Sequence, residues 1–194
     1  MRMEQVLETA SAPVENQIQS AYAELQAYYD VNREDIDRRF MDLFQQLFSM
    51  GVTAQQNGKG AISYLAVSHL YSSLITGTGE FILALYDDRL YFDDDPINIY
   101  WSPVFLWEQF NRDMEEIERA LKGRLTRLKK YELDAVKTEY AERFFEIGHK
   151  MFADYTVLII SMMENSSLKI TPGFAVIYGG YLDTATVLWK GGET

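Results

Sequence analysis

Phe81-Ile82-Leu83-Ala84-Leu85-Tyr86-Asp87-Asp88-Arg89-Leu90-Tyr91-Phe92 is the stretch that decides the fold class. Two short runs rich in β-branched, aromatic and leucine residues flank a pair of aspartates, whose short polar side chains tolerate the positive φ of a tight turn. The pattern predicts a β-hairpin, so a chain that otherwise reads as helix must also contain a sheet. A second hairpin is expected from Phe174-Ala175-Val176-Ile177-Tyr178, a turn at Gly179-Gly180, and the run from Tyr181 to Trp189. The segment 62–76 reads mainly as strand, with a helix over 62–70 as the alternative.

Helical periodicity fills the rest. Val6, Val14, Ile18, Tyr22 and Leu25 recur at helical spacing, and Val31, Ile36, Phe40, Leu43, Phe44, Leu47 and Phe48 do so more strongly. Pro13 is expected to break or kink the first of these segments, and residues 30–32 to form a turn between two helices. Ser102 and Pro103 predict a helix start, as cap and first helical residue, with the helix running to about residue 130. A second long helix over about 132–164 carries the stripe Leu133, Val136, Tyr140, Phe144, Ile147, Met151, Tyr155, Leu158 and Met162. Helices and strands are therefore segregated, which favours an α+β fold: long helices packed with a small antiparallel sheet built from two hairpin segments. With 194 residues, 47% of them apolar, one domain is expected over 1–194. Its parts are a helical 1–60, a strand-rich 61–100, two long helices over 101–165 and a C-terminal hairpin over 166–190.

Composition narrows function by exclusion. The absence of cysteine removes disulfides, thiolate metal sites and cysteine nucleophiles, and agrees with a cytoplasmic location. Glu4 and Glu8 interrupt the opening residues, so a secretory signal is not expected there. No apolar run is long enough to cross a membrane. The formal net charge is −11, and residues 80–118 hold eleven acids against two arginines. Such a balance disfavours nucleic acid and anionic membrane as partners and suits a basic partner or a cation. Arg119, Lys122, Arg124, Arg127, Lys129 and Lys130 form a basic run. The acids that precede it make this the pattern of a helix complementing its own macrodipole.

Motifs that would name a reaction are missing. Glu146 and His149, three apart on a helix, put a carboxylate and an imidazole on one face, with Glu142 one turn earlier. A di-iron site needs a second Glu-x-x-His pair, but the residue three before His69 is alanine. His69 lies among Ser68, Tyr71, Ser72 and Ser73 without a nucleophile elbow. Asp93-Asp94-Asp95 lacks the spacing of a calcium loop, and successive side chains on a strand face opposite ways. Gly58-Lys59-Gly60 lacks the spacing and the Ser or Thr of a phosphate loop. No metal and no cofactor is therefore expected, and His69, Glu146 and His149 remain the candidates should the chain bind a small molecule or act as an enzyme. The leading expectation is a non-enzymatic protein that acts through contact with another protein or through homodimerisation. Thirteen Tyr, eleven Phe and three Trp motivate it. Tyrosine and tryptophan suit surfaces that are apolar with a polar edge, so the expected interaction surface is Tyr86, Tyr91, Tyr100, Trp101 and Trp107.

Overall fold

A computed structural model describes residues 2–192, the side chains at 75 and 76 excepted. Its elements run α1 (Arg2–Gln56), β1 (Ile62–His69), α2 (Tyr71–Thr76), β2 (Phe81–Tyr86), a 3₁₀ turn (Leu90–Phe92), β3 (Ile97–Trp101), α3 (Val104–Lys122), α4 (Lys130–Glu164), β4 (Ile170–Gly180) and β5 (Ala185–Lys190). The class is α+β. The chain divides into two compact units, Met1–Arg33 with Val104–Gly148, and Glu34–Pro103 with His149–Thr194. Both α1 and α4 contribute residues to each.

The first unit is helical. On α1, Val6, Ala10, Val14, Ile18, Ala21 and Leu25 recur every three or four residues and are buried. They share a core with Trp107, Phe110 and Ile117 of α3 and Val136, Tyr140 and Phe144 of α4. Phe110 stacks on Tyr140 with ring centroids 5.4 Å apart and meets Phe144 edge-on at 5.3 Å. Asp113 is buried beside them. Its carboxylate accepts hydrogen bonds from the Tyr140 hydroxyl (2.6 Å) and the Gln109 amide (3.0 Å). Burial raises the pKa of Asp113 against the pull of these donors.

The second unit is built on a five-stranded sheet of order β3-β2-β1-β4-β5. β2 pairs antiparallel with β1 and β3, and β4 with β5, but β1 and β4 run parallel. The expected all-antiparallel sheet is therefore a mixed one. Parallel neighbours need a long crossover, and the chain between β1 and β4 is long enough to supply it. Along β1, Leu65, Val67 and His69 face one side with Leu83, Leu85, Phe81 and Tyr178 of the neighbouring strands. This side meets the helices. Phe152 of α4 touches Phe40, Phe81, Trp101 and Tyr178, all with centroids within 6 Å, and Phe40 stacks on Tyr155 at 4.0 Å. Gly51 lets α1 come close: a Cβ there would lie 2.7 Å from Leu168 and 2.8 Å from Leu85.

Five local expectations are corrected. Residues 2–56 form one helix, which continues through Pro13 and through 30–32. At the expected turn the polar side chains bond within the helix: Asn32 donates to the Tyr28 carbonyl and Gln26 to Asp30. Residues 62–69 are strand, but Tyr71–Thr76 is a short helix, ended by Gly77 in the left-handed conformation (φ 78°). The strand paired with β2 is Ile97–Trp101 instead of 89–92, and α3 ends at Lys122, before Gly123, instead of near 130. Gly179 and Gly180 lie inside β4. Gly179 is opposite Ala185, so near the Thr184 carbonyl that a Cβ would stand 2.2 Å from it, and the chain turns at 181–184.

Candidate protein-contact surface

Alternation along the strands defines a second sheet face. Tyr64, Ala66 and Ser68 of β1 align with Tyr86, Ala84 and Ile82 of β2, with Ala175, Ile177 and Gly179 of β4, and with Asn98 and Tyr100 of β3. Small residues occupy its middle. Ala66, Ala84, Tyr86, Ala175 and Ile177 form a buried cluster, against which Tyr64, Leu90 and Tyr91 pack. Leu90 and Tyr91 come from the connection between β2 and β3, which folds back across the face instead of continuing as a strand.

Asp93 fixes that connection. Its carboxylate accepts from the backbone N–H of Asp87 (2.9 Å) and of Asp95 (3.0 Å). Lys59 Nζ donates to both of its oxygens at 2.6 Å and to the Asp95 carbonyl. The pair is almost wholly withdrawn from solvent, with 7% of the Lys59 side chain and 1% of the Asp93 side chain exposed. Burial acts to raise the pKa of Asp93. The ammonium and the two N–H donors outweigh it and hold the carboxyl below its usual value. Arg89 spans Asp87 (2.9 Å) and Asp94 (2.7 Å) outside. The cation required by this acidic turn is thus supplied by the chain itself. Sequence reasoning missed Lys59, whose only local signal was a lysine between two glycines.

Tyrosines dominate what the face presents. Tyr86 meets Tyr91 edge-on at 5.6 Å, and Tyr91 meets Tyr181, in the β4–β5 turn, at 6.4 Å. Burial, and then the neighbouring Tyr181, Tyr91, Asp93 and Tyr100, push the Tyr86 hydroxyl up to about 12. Each tyrosine of the Tyr91–Tyr181 contact is followed by an exposed apolar side chain, Phe92 (84% exposed) and Leu182 (61%). Tyr100 is 60% exposed at the β3 edge, and Val187 is exposed on β5. Leu90 and Leu182 both have left-handed backbones, φ 52° and 59°. For a leucine this conformation costs about 1–2 kcal/mol, so neither turn is built from the residue its geometry favours.

Of the five aromatics expected to form one surface, Tyr86, Tyr91 and Tyr100 share this face. Trp101 packs against Phe40 and Phe81 on the helix-bearing side. Trp107 is buried in the first unit with Phe110 and Phe144. His69 and His149 both lie against Tyr178, at 5.8 and 5.3 Å between ring centroids. Burial pushes the His69 imidazole down to about 4, against the attraction of Asp183, so it is neutral at physiological pH. Glu146 belongs to the first unit, where it is exposed. Among the described residues no group of three or more His, Cys, Asp or Glu is placed to hold a metal ion. A separate groove of about 670 Å³ in the second unit is lined by hydroxyl, amide and apolar groups, including Gln45, Ser49, Thr53, Ser161 and Asn165. Its lining holds no charged side chain and none of the candidate site residues His69, Glu146 and His149. No described helix is long and apolar enough to cross a membrane.

No protein-family model matches the chain, and no curated protein or solved structure matches it at a significant level.

Proposed function

We propose that this protein is a non-enzymatic cytoplasmic protein that works by contact with another protein chain, through the tyrosine-bearing second face of its sheet. The observation that carries the reading is the grouping of half-buried Tyr64 and Tyr91 and exposed Tyr100 on that face, with exposed Phe92 and Leu182 on the two turns whose Tyr91 and Tyr181 touch. Tyrosine offers large contact area at low conformational cost and keeps a polar edge for water in the free state. Single exposed apolar residues are ordinary, but several on neighbouring turns of one face are the pattern of a contact site. A photo-crosslinking amino acid placed at 100 or 182 in the cells of origin tests this, with Val157, an exposed position on α4, as control. Discrete crosslinked protein at 100 and 182 but not at 157 is expected. Equal crosslinking at all three, or none at 100 and 182, would rule the reading out.

A second reading, ligand binding or catalysis by His69 and His149, draws on one observation: the two histidines of the chain flank the same tyrosine. Native mass spectrometry of the purified protein tests it. A retained stoichiometric metal or small molecule, lost in His69→Ala or His149→Ala, would favour this reading. A clean apo mass would remove its support.

A further inference from the structure

The turn that carries Leu182 is costly in two ways. Its leucine sits at φ 59°, where glycine or asparagine would be unstrained, and its side chain is mostly in water. Phe92 is still more exposed and follows Leu90, the other left-handed leucine beside this face. The two turns are joined by the edge-on contact of Tyr91 with Tyr181. Exposed apolar side chains on two touching turns, one of them on the strained Leu182 itself, make a pair of anchors. Central apolar anchors with a polar surround are what concentrate binding energy in protein interfaces.

Charge selects what the anchors meet. Asp183 is exposed directly after Leu182, and its field reaches Tyr91. Asp87, Asp88 and Asp94 stand on the connection that carries Phe92, where Arg89 is engaged with Asp87 and Asp94. Lys190 is at the far end of β5 from the turn, opposite Ala175. A second copy of a chain with net charge −11 would bring like charges together here. Like-charge juxtaposition is a strong barrier to association, and opposite charge speeds it.

Accepting the contact reading above, on which this rests, we infer that the Phe92–Leu182 surface takes a basic segment of a different protein, one that pairs an apolar side chain with flanking lysine or arginine. The acids at the rim meet the basic groups, and the apolar residue packs between Phe92 and Leu182.

The test is an NMR titration of the full chain with a synthetic peptide of alternating lysine and leucine, and with its twin carrying glutamate for every lysine. Expected are shifts at Phe92, Tyr181, Leu182 and Asp183 with the lysine peptide only, weakening as salt is raised because exposed charges are screened over about 10 Å. Leu182→Ser and Phe92→Ser should each weaken binding about tenfold. Asp183→Lys should weaken it several-fold. Equal binding of both peptides, shifts confined to other surfaces, or no shift at these residues would overturn the inference. If crosslinking at 182 still finds a partner in that event, only the basic chemistry fails and the contact reading stands. If crosslinking fails as well, both fall.

Discussion

Lys59 and Asp93 show how much one pair of side chains can decide. Each side chain is buried, and each is held by the other and by the turn between them, with Arg89 a more distant ion-pair partner of Asp93. Removing one partner leaves a buried charge uncompensated, which costs about 3–5 kcal/mol in comparable sites. Lys59→Met is therefore expected to lower unfolding stability by about that amount in urea titrations, and to expose Tyr91 to solvent as the connection lifts. His69 carries a pH dependence of known sign. Its folded pKa, about 4, lies below its ordinary value, so the unfolded chain binds the proton more tightly. Stability is full above the ordinary value and is lost as pH falls through the window between the two. Acidification from neutral pH to about 5 is expected to cost up to about 2 kcal/mol, from 1.36 kcal/mol per pH unit. His69→Phe should flatten that slope. An unchanged slope would show that the imidazole is not the group responsible. Neither residue was legible in this role from sequence, because burial and a partner 34 positions away are tertiary facts. Only the types were visible: a lysine in a glycine turn and a histidine among hydroxyls.

At the scale of elements, the sequence carried the long helices well and their interruptions poorly. The stripe from Leu133 to Met162 lies within α4, and its start was placed within two residues. Pro13 predicts a break because proline lacks an N–H and crowds the preceding turn. α1 continues through it because Ala10, Val14 and Ile18 on the same helix are all buried. Tertiary burial here outweighs a local penalty of about 3 kcal/mol. Pro13→Ala should then recover part of that penalty, raising unfolding stability by about 1–2 kcal/mol in denaturant titrations, less than the full amount because Pro13 is itself buried. A loss of stability would mean that the proline fills its site better than the backbone hydrogen bond would repay. The strands were harder. The apolar pattern marks β2, but it points to 89–92, the next apolar run, as the partner, whereas Asp93 and Lys59 divert that run across the sheet and leave Ile97–Trp101 to pair. Gly179-Gly180 looked like a turn and is instead a close approach of two strands, a role that local sequence does not separate from a turn.

At the scale of the molecule, the sequence supported an α+β chain with an aromatic excess and an acidic bias, and the structure shows where each goes. Most of the aromatics build the two cores. Of the others, Tyr64, Tyr91, Tyr100 and Tyr181 gather on the second face of the sheet, while Tyr22, Tyr28, Tyr71 and Tyr131 are exposed on helices. Alternation along β1 and β2 could have indicated which tyrosines share that face, once the strands were paired. The positions of Trp101 and Trp107 could not be separated from them by composition alone. The parallel pairing of β1 with β4 was equally hidden, because it joins segments about a hundred residues apart and no local pattern encodes it. Amide hydrogen exchange, comparing the protein isolated under mild conditions from its own cells with the same chain purified alone, tests the contact reading most directly. Slower exchange in the isolated complex across 90–92, 100–101 and 180–187 is the expected result. Protection confined to the outer faces of α1 and α4, or no difference between the two preparations, would contradict it.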